Sequence, residues 1–255
     1  MTVVSAHKTD VGRVRQRNED YVWVDEQVGV FIVADGLGGH QAGDVASRLA
    51  ATTVGELVAA GIGAANERLS TAAVRELMTG AIETANERVG AAASKARQGL
   101  RMGTVIVVAV VRPPVAYVSH AGDARAYLAR DSSLTRLTED DSVVAQLVAA
   151  GELSEAEARN HPQRNLVTKV VGQGSPVQPS FREVAAGPGD WLLLCSDGLW
   201  DMVDDEDILG ELEKADGEPA RATAALIRAA NAAGGMDNIS VVAIRVLSTG
   251  SEGGS

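Results

Sequence analysis

VFIVADGLGGH, residues 30–40, runs five apolar residues into an acid and then places glycine at positions 36, 38 and 39. Val, Ile and Phe favour a buried strand, and the glycines favour a sharp turn where that strand ends. Asp35 is therefore predicted at the mouth of a packed sheet, beside backbone that a ligand can approach closely. Because Asp-Gly is also a common hairpin turn signal, a simple hairpin turn is an alternative interpretation of this stretch.

Composition limits what kind of protein this is. The 255 residues suit one large domain or two small ones with a sizeable core. A net charge of −11 argues against nucleic acid as the main partner, because a phosphate backbone is bound by basic surfaces. The lone Cys195 excludes an intramolecular disulfide and suits a reducing compartment. With no long apolar run and no signal-peptide segment, we expect a cytoplasmic monomer without a membrane segment.

Hydrophobic periodicity predicts strands and helix pairs in alternation. Helices are predicted over 42–60, ended by Gly61 and Gly63, and then from a cap at Ser70. A later helix pair is predicted over 205–215 and 219–233. Strands are predicted over 2–10, 20–25, 28–34, 102–111, 115–121, 125–130, 133–138, 182–186, 190–196 and 238–247.

This order predicts an α+β fold. Neighbouring strands without intervening helices must pair in antiparallel fashion, and two stacked sheets with a helix pair outside each would bury every apolar face. We therefore expect an α-β-β-α sandwich formed by a single domain over residues 1–247, followed by a disordered tail over 248–255. The polar segment 139–172, with short helical pieces, is predicted to be a flap inserted between strands.

Further acids accompany the apolar strands. Asp123 and Asp197 follow predicted strands, Asp237 precedes the last strand, and Glu19-Asp20 precedes the second. A cluster of carboxylates near a core is costly unless a cation neutralises it. Carboxylates, carbonyls and water, without His or Cys, select Mg²⁺ or Mn²⁺.

Each acid also has a simpler interpretation. Asp197 with Gly198 can form a turn, Glu19-Asp20 can be a solvated loop, and Asp123 can pair with Arg125. Taken together, their common position at strand ends favours a metal site. Two ions sharing Asp35, roughly 3.5–4 Å apart, would form a hydrolytic centre with a bridging hydroxide that attacks a phosphoryl group.

The basic loop before Glu19 supports phosphate chemistry, because an arginine fork grips phosphate oxygens bidentately. It carries Arg13, Arg15 and Arg17. A cysteine phosphatase is excluded, because the residue six positions after Cys195 is an aspartate rather than the arginine of a Cys-x5-Arg loop. The absence of a GxxxxGK[ST] loop disfavours an NTPase. Proton transfer is considered for His40 and His120, although capping or packing is the commoner role.

Six ordered motifs resemble the PPM (type 2C) family of metal-dependent Ser/Thr protein phosphatases, in its bacterial single-domain form. They are VRQRNED (14–20), VADGLGGH (33–40), MGTV (102–105), GDARAYL (122–128), CSDGLWD (195–201) and GGMDNISVV (234–242). The resemblance spans residues 5–247 and implies the same α-β-β-α sandwich.

The resemblance also implies roles at matching positions. Arg15 would bind phosphate, and Asp20 would orient the nucleophile. His40 and Asn238 are accessory candidates. Asp35 would be a ligand shared by two ions. Asp197 and Asp237 would bind the first ion, and the Gly36 carbonyl would bind the second. Glu19 and Asp20 would hold metal-bound waters, and Asp123 with Asp197 would form a third, weaker site.

Three positions depart from the family pattern. Leu37 stands where animal-type members carry a histidine proposed as general acid, and Ala124 replaces a serine whose hydroxyl would steady the loop of Asp123. Asp141 replaces a histidine at the start of the flap, which we interpret as a change in surface charge.

The sequence thus predicts direct hydrolysis of phosphoserine and phosphothreonine in proteins, with two Mg²⁺ or Mn²⁺ ions and no phosphoenzyme, opposing a bacterial Ser/Thr kinase. One alternative is a phosphatase of this fold that acts on an anti-sigma-factor antagonist in a stress switch. The other is a catalytically silent module that binds a partner; such modules usually lose metal ligands, and this chain retains all of them.

Overall fold

The computed structural model describes residues 1–38, 42–65, 68–95, 102–173 and 176–248. His40 and residues 249–255 of the predicted tail lie outside the described residues. The elements in chain order are β1 (Thr2–Asp10), β2 (Asp20–Asp25), β3 (Val30–Leu37), α1 (Gly43–Ala64), α2 (Thr71–Lys95), β4 (Gly103–Arg112), β5 (Val115–Ala121), β6 (Arg125–Arg130), β7 (Ser133–Arg136), α3 (Val143–Ala149), α4 (Glu155–Arg159), β8 (Ser180–Ala185), β9 (Trp191–Cys195), α5 (Asp197–Trp200), α6 (Asp205–Lys214), α7 (Pro219–Ala232) and β10 (Ile239–Leu247).

The strands form two five-stranded antiparallel sheets. Sheet I has the order β1-β10-β9-β6-β7, and sheet II has the order β2-β3-β4-β5-β8. Helices α1 and α2 pack on the outer face of sheet II, and α6 and α7 pack on the outer face of sheet I. The α-β-β-α sandwich predicted from the sequence is confirmed.

Alternation along the central strands divides the core into layers. In β3, Val30 and Ile32 face helices α1 and α2, whereas Phe31 and Val33 face the space between the sheets. Successive side chains of a strand point to opposite faces, so a strand buried on both sides must be apolar throughout. That is why the run before Asp35 contains no polar residue.

Helix α1 continues past the glycines that were predicted to end it. It runs to Ala64, so the predicted end at Gly61 and Gly63 is wrong. Each glycine costs a helix about 1 kcal/mol relative to alanine. Burial of Val58 and Ile62 offsets this cost, and a Cβ on Gly61 would lie 2.6 Å from Leu77 of α2, so glycine lets the helices approach. The predicted cap of α2 is present, since Ser70 Oγ accepts from the Ala73 N–H at 3.3 Å.

Among the described helices, α1 is the one whose length and composition would suit a membrane span. Half of its most apolar 18-residue window is buried inside the fold. A core helix of a sandwich meets the same criterion, so this feature is weak evidence for a membrane segment.

The flap contains two short helices, α3 and α4, as predicted for residues 139–172. The predicted capping box opens α4, with Ser154 accepting from the Glu157 N–H and Glu157 reaching back to Ser154. No residue of α3 or α4 is buried. The two flap helices therefore have no core of their own.

Candidate metal centre

Asp35 lies inside a strand rather than in a turn. Strand β3 extends to Leu37, and Asp35 is paired with Val105 of β4 on one side and with Asp20 of β2 on the other. The Gly36 N–H donates to the Glu19 carbonyl at 3.1 Å, which continues the pairing past the acid. The hairpin interpretation of Asp-Gly is therefore wrong, and two carboxylates stand side by side on neighbouring strands.

Glycine is required at position 36 because other backbone closes in on it. A Cβ there would lie 2.2 Å from the Gly43 carbonyl oxygen and 2.6 Å from that of Glu19. A Cβ on Gly43 would in turn lie 2.6 Å from Glu19 Oε2 and 2.9 Å from the Gly36 oxygen. The Glu19 carboxylate and the Gly36 carbonyl thus face one small space at the start of α1.

Sheet I supplies the opposite wall. Asp197 is the first residue of α5 and follows β9 by one residue, Ser196. The Ser196 hydroxyl donates to Asp20 Oδ2 at 2.8 Å and accepts from the Ser240 N–H at 2.9 Å. This buried serine joins the two sheets where their acids meet.

Asn238 holds the basic loop against the start of β10. Its Nδ2 donates to the Val11 and Arg17 carbonyls at 3.0 and 2.8 Å, and its Oδ1 accepts from the Glu19 N–H at 2.8 Å. The adjacent Asp237 pairs with Arg15 at 2.6 Å, and the Arg15 side chain is 54% exposed. The accessory residue of the prediction therefore has a positioning contact with the loop that carries Arg15.

Asp123 lies in the turn between β5 and β6 and is 8% exposed. Its carbonyl accepts from Trp200 Nε1 at 3.1 Å. Arg125 does not pair with it: both of its fork nitrogens bind Asp140, at 3.0 and 2.7 Å, and its guanidinium stacks on the Trp200 ring. The simpler interpretation of Asp123 as the partner of Arg125 is wrong.

Burial and mutual repulsion disfavour ionisation of the clustered acids. Desolvation, followed by neighbouring carboxylates, raises the pKa of Asp35 and of Asp197 well above the usual range. Burial also raises the pKa of Asp20 and of Asp123 to about 6. Burial and the nearby Asp44 raise the pKa of Glu19. Without a bound metal ion, keeping these carboxylates ionised lowers the free energy of unfolding.

The residues present fit a hard divalent cation. Asp20 Oδ1 and Asp197 Oδ1 are buried without a hydrogen-bond donor. Oxygen donors of this kind are what Mg²⁺ and Mn²⁺ prefer. Within the described ranges, no three His, Cys, Asp or Glu side chains form a group that could hold an ion by themselves. Mg²⁺ sites in proteins commonly combine one or two carboxylates with several waters.

The remaining candidates have structural roles. Leu37 packs against the layer between the sheets, and Cys195 is fully buried, with a pKa raised by that burial. His120 is buried, and its Nε2 lies within hydrogen-bond distance of the Glu139 carbonyl oxygen, at 2.8 Å.

Sequence reasoning missed several residues that build the site. The Ser47 hydroxyl donates to the Glu19 carbonyl at 2.6 Å, and the Thr104 hydroxyl donates to the Asp35 carbonyl at 2.6 Å. Ser196 was missed as well. Small polar residues next to apolar runs, as in MGTV and CSDG, are the only sequence signal they leave.

The family model for protein phosphatase 2C matches residues 11–234. The chain belongs to the protein phosphatase 2C family. Protein phosphatase PhpP of Streptococcus pneumoniae is 38% identical over 240 residues, covering 92% of this chain and 94% of that protein.

Solved phosphatase structures share the fold. The Mycobacterium tuberculosis serine/threonine phosphatase PstP/Ppp superposes with a TM-score of 0.86 at 34% identity, covering 97% of this chain and 100% of that one. The catalytic domain of serine/threonine protein phosphatase PstP in complex with two manganese ions superposes with a TM-score of 0.83 at 32% identity, covering 97% and 99%. The present member of the 2C family thus matches relatives of its own length along nearly its whole chain.

Proposed function

We propose that this chain is a protein serine/threonine phosphatase that uses two Mg²⁺ or Mn²⁺ ions. One observation carries the proposal: buried carboxylates from both sheets converge with oxygen atoms that have no donor. A cation is what removes the cost of such a cluster. The PstP structure with two manganese ions, at 32% identity, supports the same number of ions here.

The proposed ligands come from both sheets. The chemistry that two bound divalent ions supply is activation of a water and neutralisation of phosphoryl charge. The residues that would hold the ions are Asp35, the Gly36 carbonyl, Asp197 and Asp237, with Glu19 and Asp20 holding their waters and Asp123 as a weaker candidate.

The remaining groups position the reactants. Ser196 fixes Asp20 by its hydroxyl, so that Asp20 Oδ1 can orient the attacking water towards phosphorus. Arg15, half exposed beside Asp237, would hold non-bridging phosphoryl oxygens with its fork. Cys195 is buried and burial raises its pKa, so it is not the nucleophile, and the proposed reaction is direct hydrolysis by water.

The phosphoryl group enters from a protein, and the enzyme class implies a Ser/Thr kinase that supplies it. Leu37 cannot donate a proton, so protonation of the leaving serine or threonine oxygen falls to water.

The test is turnover of matched phosphoserine, phosphothreonine and phosphotyrosine peptides in Mg²⁺, Mn²⁺ or Ca²⁺. We expect release of phosphate from the first two peptides in Mn²⁺ or Mg²⁺ and little from the third. Asp197→Asn with unchanged circular dichroism should lose this activity. Equal turnover of all three peptides, or activity in chelator, would contradict the proposal.

A further inference from the structure

Asp141, at the start of the flap, interacts through its backbone N–H and carbonyl and through both carboxylate oxygens. Its N–H donates to the Gly122 carbonyl at 3.0 Å, and its own carbonyl accepts from the Thr168 N–H at 2.6 Å. Its Oδ2 accepts from the Gly122 N–H at 3.1 Å, while Oδ1 lies 2.8 Å from Lys169 Nζ. The side chain is 13% exposed, so the interpretation of Asp141 as a surface charge is wrong.

These contacts join three places that are distant in sequence. Gly122 precedes Asp123 in the turn of the candidate third metal site, Asp141 begins the flap, and Thr168-Lys169 ends it. Gly122 has a φ of +105°, and a Cβ there would lie 2.2 Å from Val105, so this turn has little freedom. Ala124 offers no hydroxyl to hold the turn. The Asp141 carboxylate provides a side-chain anchor instead.

Lys169 extends the connection to sheet II. Its side chain is 33% exposed, and Nζ also lies 3.4 Å from Ser180 Oγ of β8. Beyond it, Val171 exchanges two backbone hydrogen bonds with Thr104, whose hydroxyl binds the Asp35 carbonyl. Both ends of the flap therefore lead to backbone that carries a proposed metal ligand.

The flap depends on these ends, because none of the residues of α3 and α4 is buried. A segment with few buried apolar contacts opens at low free-energy cost. The ion pair of Asp141 with Lys169 is partly buried and charged, and such hydrogen bonds are stronger than neutral ones. It is therefore placed to limit how far the flap swings relative to the site.

We propose that Asp141 and Lys169 are positioning residues that hold the flap against the Asp123 turn, and so set how a phosphoprotein segment, rather than a small ester, meets the site. This inference rests on the proposed phosphatase function. We call the two residues the flap clamp.

The experiment compares Lys169→Met, which breaks the ion pair, with Lys169→Arg, which keeps it. Asp141→Ala additionally removes the acceptor of the Gly122 N–H. Arg159→Met is the matched control, because Arg159 lies in the same flap and pairs with Asp204 in an exposed ion pair, with side chains 74% and 71% exposed. Two readouts are taken: amide hydrogen exchange of the metal-free protein, and kinetics in saturating Mn²⁺.

Amide exchange tests the clamp without turnover. In Lys169→Met, exchange over residues 142–168 should accelerate by about tenfold, which is the factor that loss of one charged hydrogen bond gives. Asp141→Ala should also accelerate exchange at Gly122. Lys169→Arg and Arg159→Met should match the unaltered protein.

The kinetics separate positioning from general damage. For a phosphoserine peptide, Lys169→Met should raise KM by about 3–10-fold with kcat changed less than about twofold, the signature of lost binding contacts. For p-nitrophenyl phosphate, which has no peptide chain to contact the flap, both constants should stay unchanged.

Two results would overturn the clamp: exchange in Lys169→Met equal to that in Arg159→Met, or equal loss with both esters. If the unaltered protein hydrolyses neither ester, the proposed function fails, and the exchange comparison still decides whether the clamp exists.

Discussion

Two groups of aspartates in this fold face opposite surroundings. Asp20, Asp35, Asp123 and Asp197 lie near strand ends around the candidate metal centre, and burial raises the pKa of each. Asp140, Asp141 and Asp190, by contrast, each bind a cation: Arg125, Lys169 and Arg130, respectively. The same side chain is therefore a cost to the metal-free fold in one group and a support in the other.

Asp190 is the clearest example of an acid that the protein pairs with a cation. Burial works against its ionisation, but the hydrogen bonds from Arg130 and from the Gly187 N–H outweigh burial and lower its pKa. Both fork nitrogens of Arg130 bind it, at 2.9 and 2.6 Å. An acid whose charge the protein satisfies itself has no need of an ion, whereas the clustered acids do. This difference separates the acids whose charge the fold leaves uncompensated from those that it pairs with a cation.

The largest expected effect is from Asp35→Asn. The carboxylate proposed between two ions is lost, so phosphopeptide turnover in Mn²⁺ should fall by about 10³-fold or more, since metal stabilisation supplies several kcal/mol. The metal-free variant should be as stable as the parent or more stable by about 1 kcal/mol, because a repelled charge is removed. Activity is measured by phosphate release and stability by urea unfolding. Loss of both activity and stability in the variant would show instead that Asp35 stabilises the fold, as Asp190 does.

Asp190→Ala should behave in the opposite way. It leaves the Arg130 guanidinium and the Gly187 N–H without their acceptor, which costs about 1–3 kcal/mol of unfolding free energy. Turnover at 25 °C should stay within about twofold of the parent, because Asp190 precedes β9 and Asp197 follows its other end. Urea midpoints and phosphate release measured on the same samples would decide; unchanged stability would contradict the assignment.

Stability of the metal-free protein should respond to pH in the direction set by the clustered acids. The pKa values of Asp20 and Asp123 are about 6 in the folded protein and near 3.8 in the unfolded chain. Between those values the folded protein binds more protons, so these acids make stability fall as pH rises through about 4 to 6. Because ions compete with those protons, Mn²⁺ should raise Tm more at pH 7.5 than at pH 5.0, by about 2–4 °C for each kcal/mol gained.

Thermal unfolding with Mn²⁺ or with chelator checks this pH effect. Asp35→Asn serves as the comparison, and its response to Mn²⁺ should be reduced at both pH values. A larger Mn²⁺ effect at pH 5.0 than at pH 7.5 would contradict the argument.

The smallest effect is expected where an ion pair is fully solvated. Arg159→Met breaks a pair 3.0 Å long between flap residue Arg159 and Asp204, both largely exposed. Such pairs contribute about 0–1 kcal/mol, so Tm should move by less than about 4 °C. Calorimetry of the variant at low and high salt measures this shift in Tm. If the shift were as large as that of Asp190→Ala, the effect would come from the ion pair itself rather than from burial of the acid.

The sequence by itself determined the strand and helix order, because periods of 2 and 3.6 residues are local properties. It also determined that acids and glycines punctuate the apolar runs, and its ordered motifs predicted the 2C family and the α-β-β-α sandwich. Capping signals at Ser70 and Ser154 were equally local, and both predictions are confirmed.

Only the tertiary structure decided which charges meet. Whether Asp123 or Asp140 binds Arg125, and whether Asp141 faces water or Lys169, depends on where separate loops come together in space. Position 35 lies inside a strand because Glu19 and Gly43 close around Gly36, and α1 passes Gly61 because Leu77 packs on it. Such contacts join residues far apart in the chain, so no local pattern of residue types specifies them.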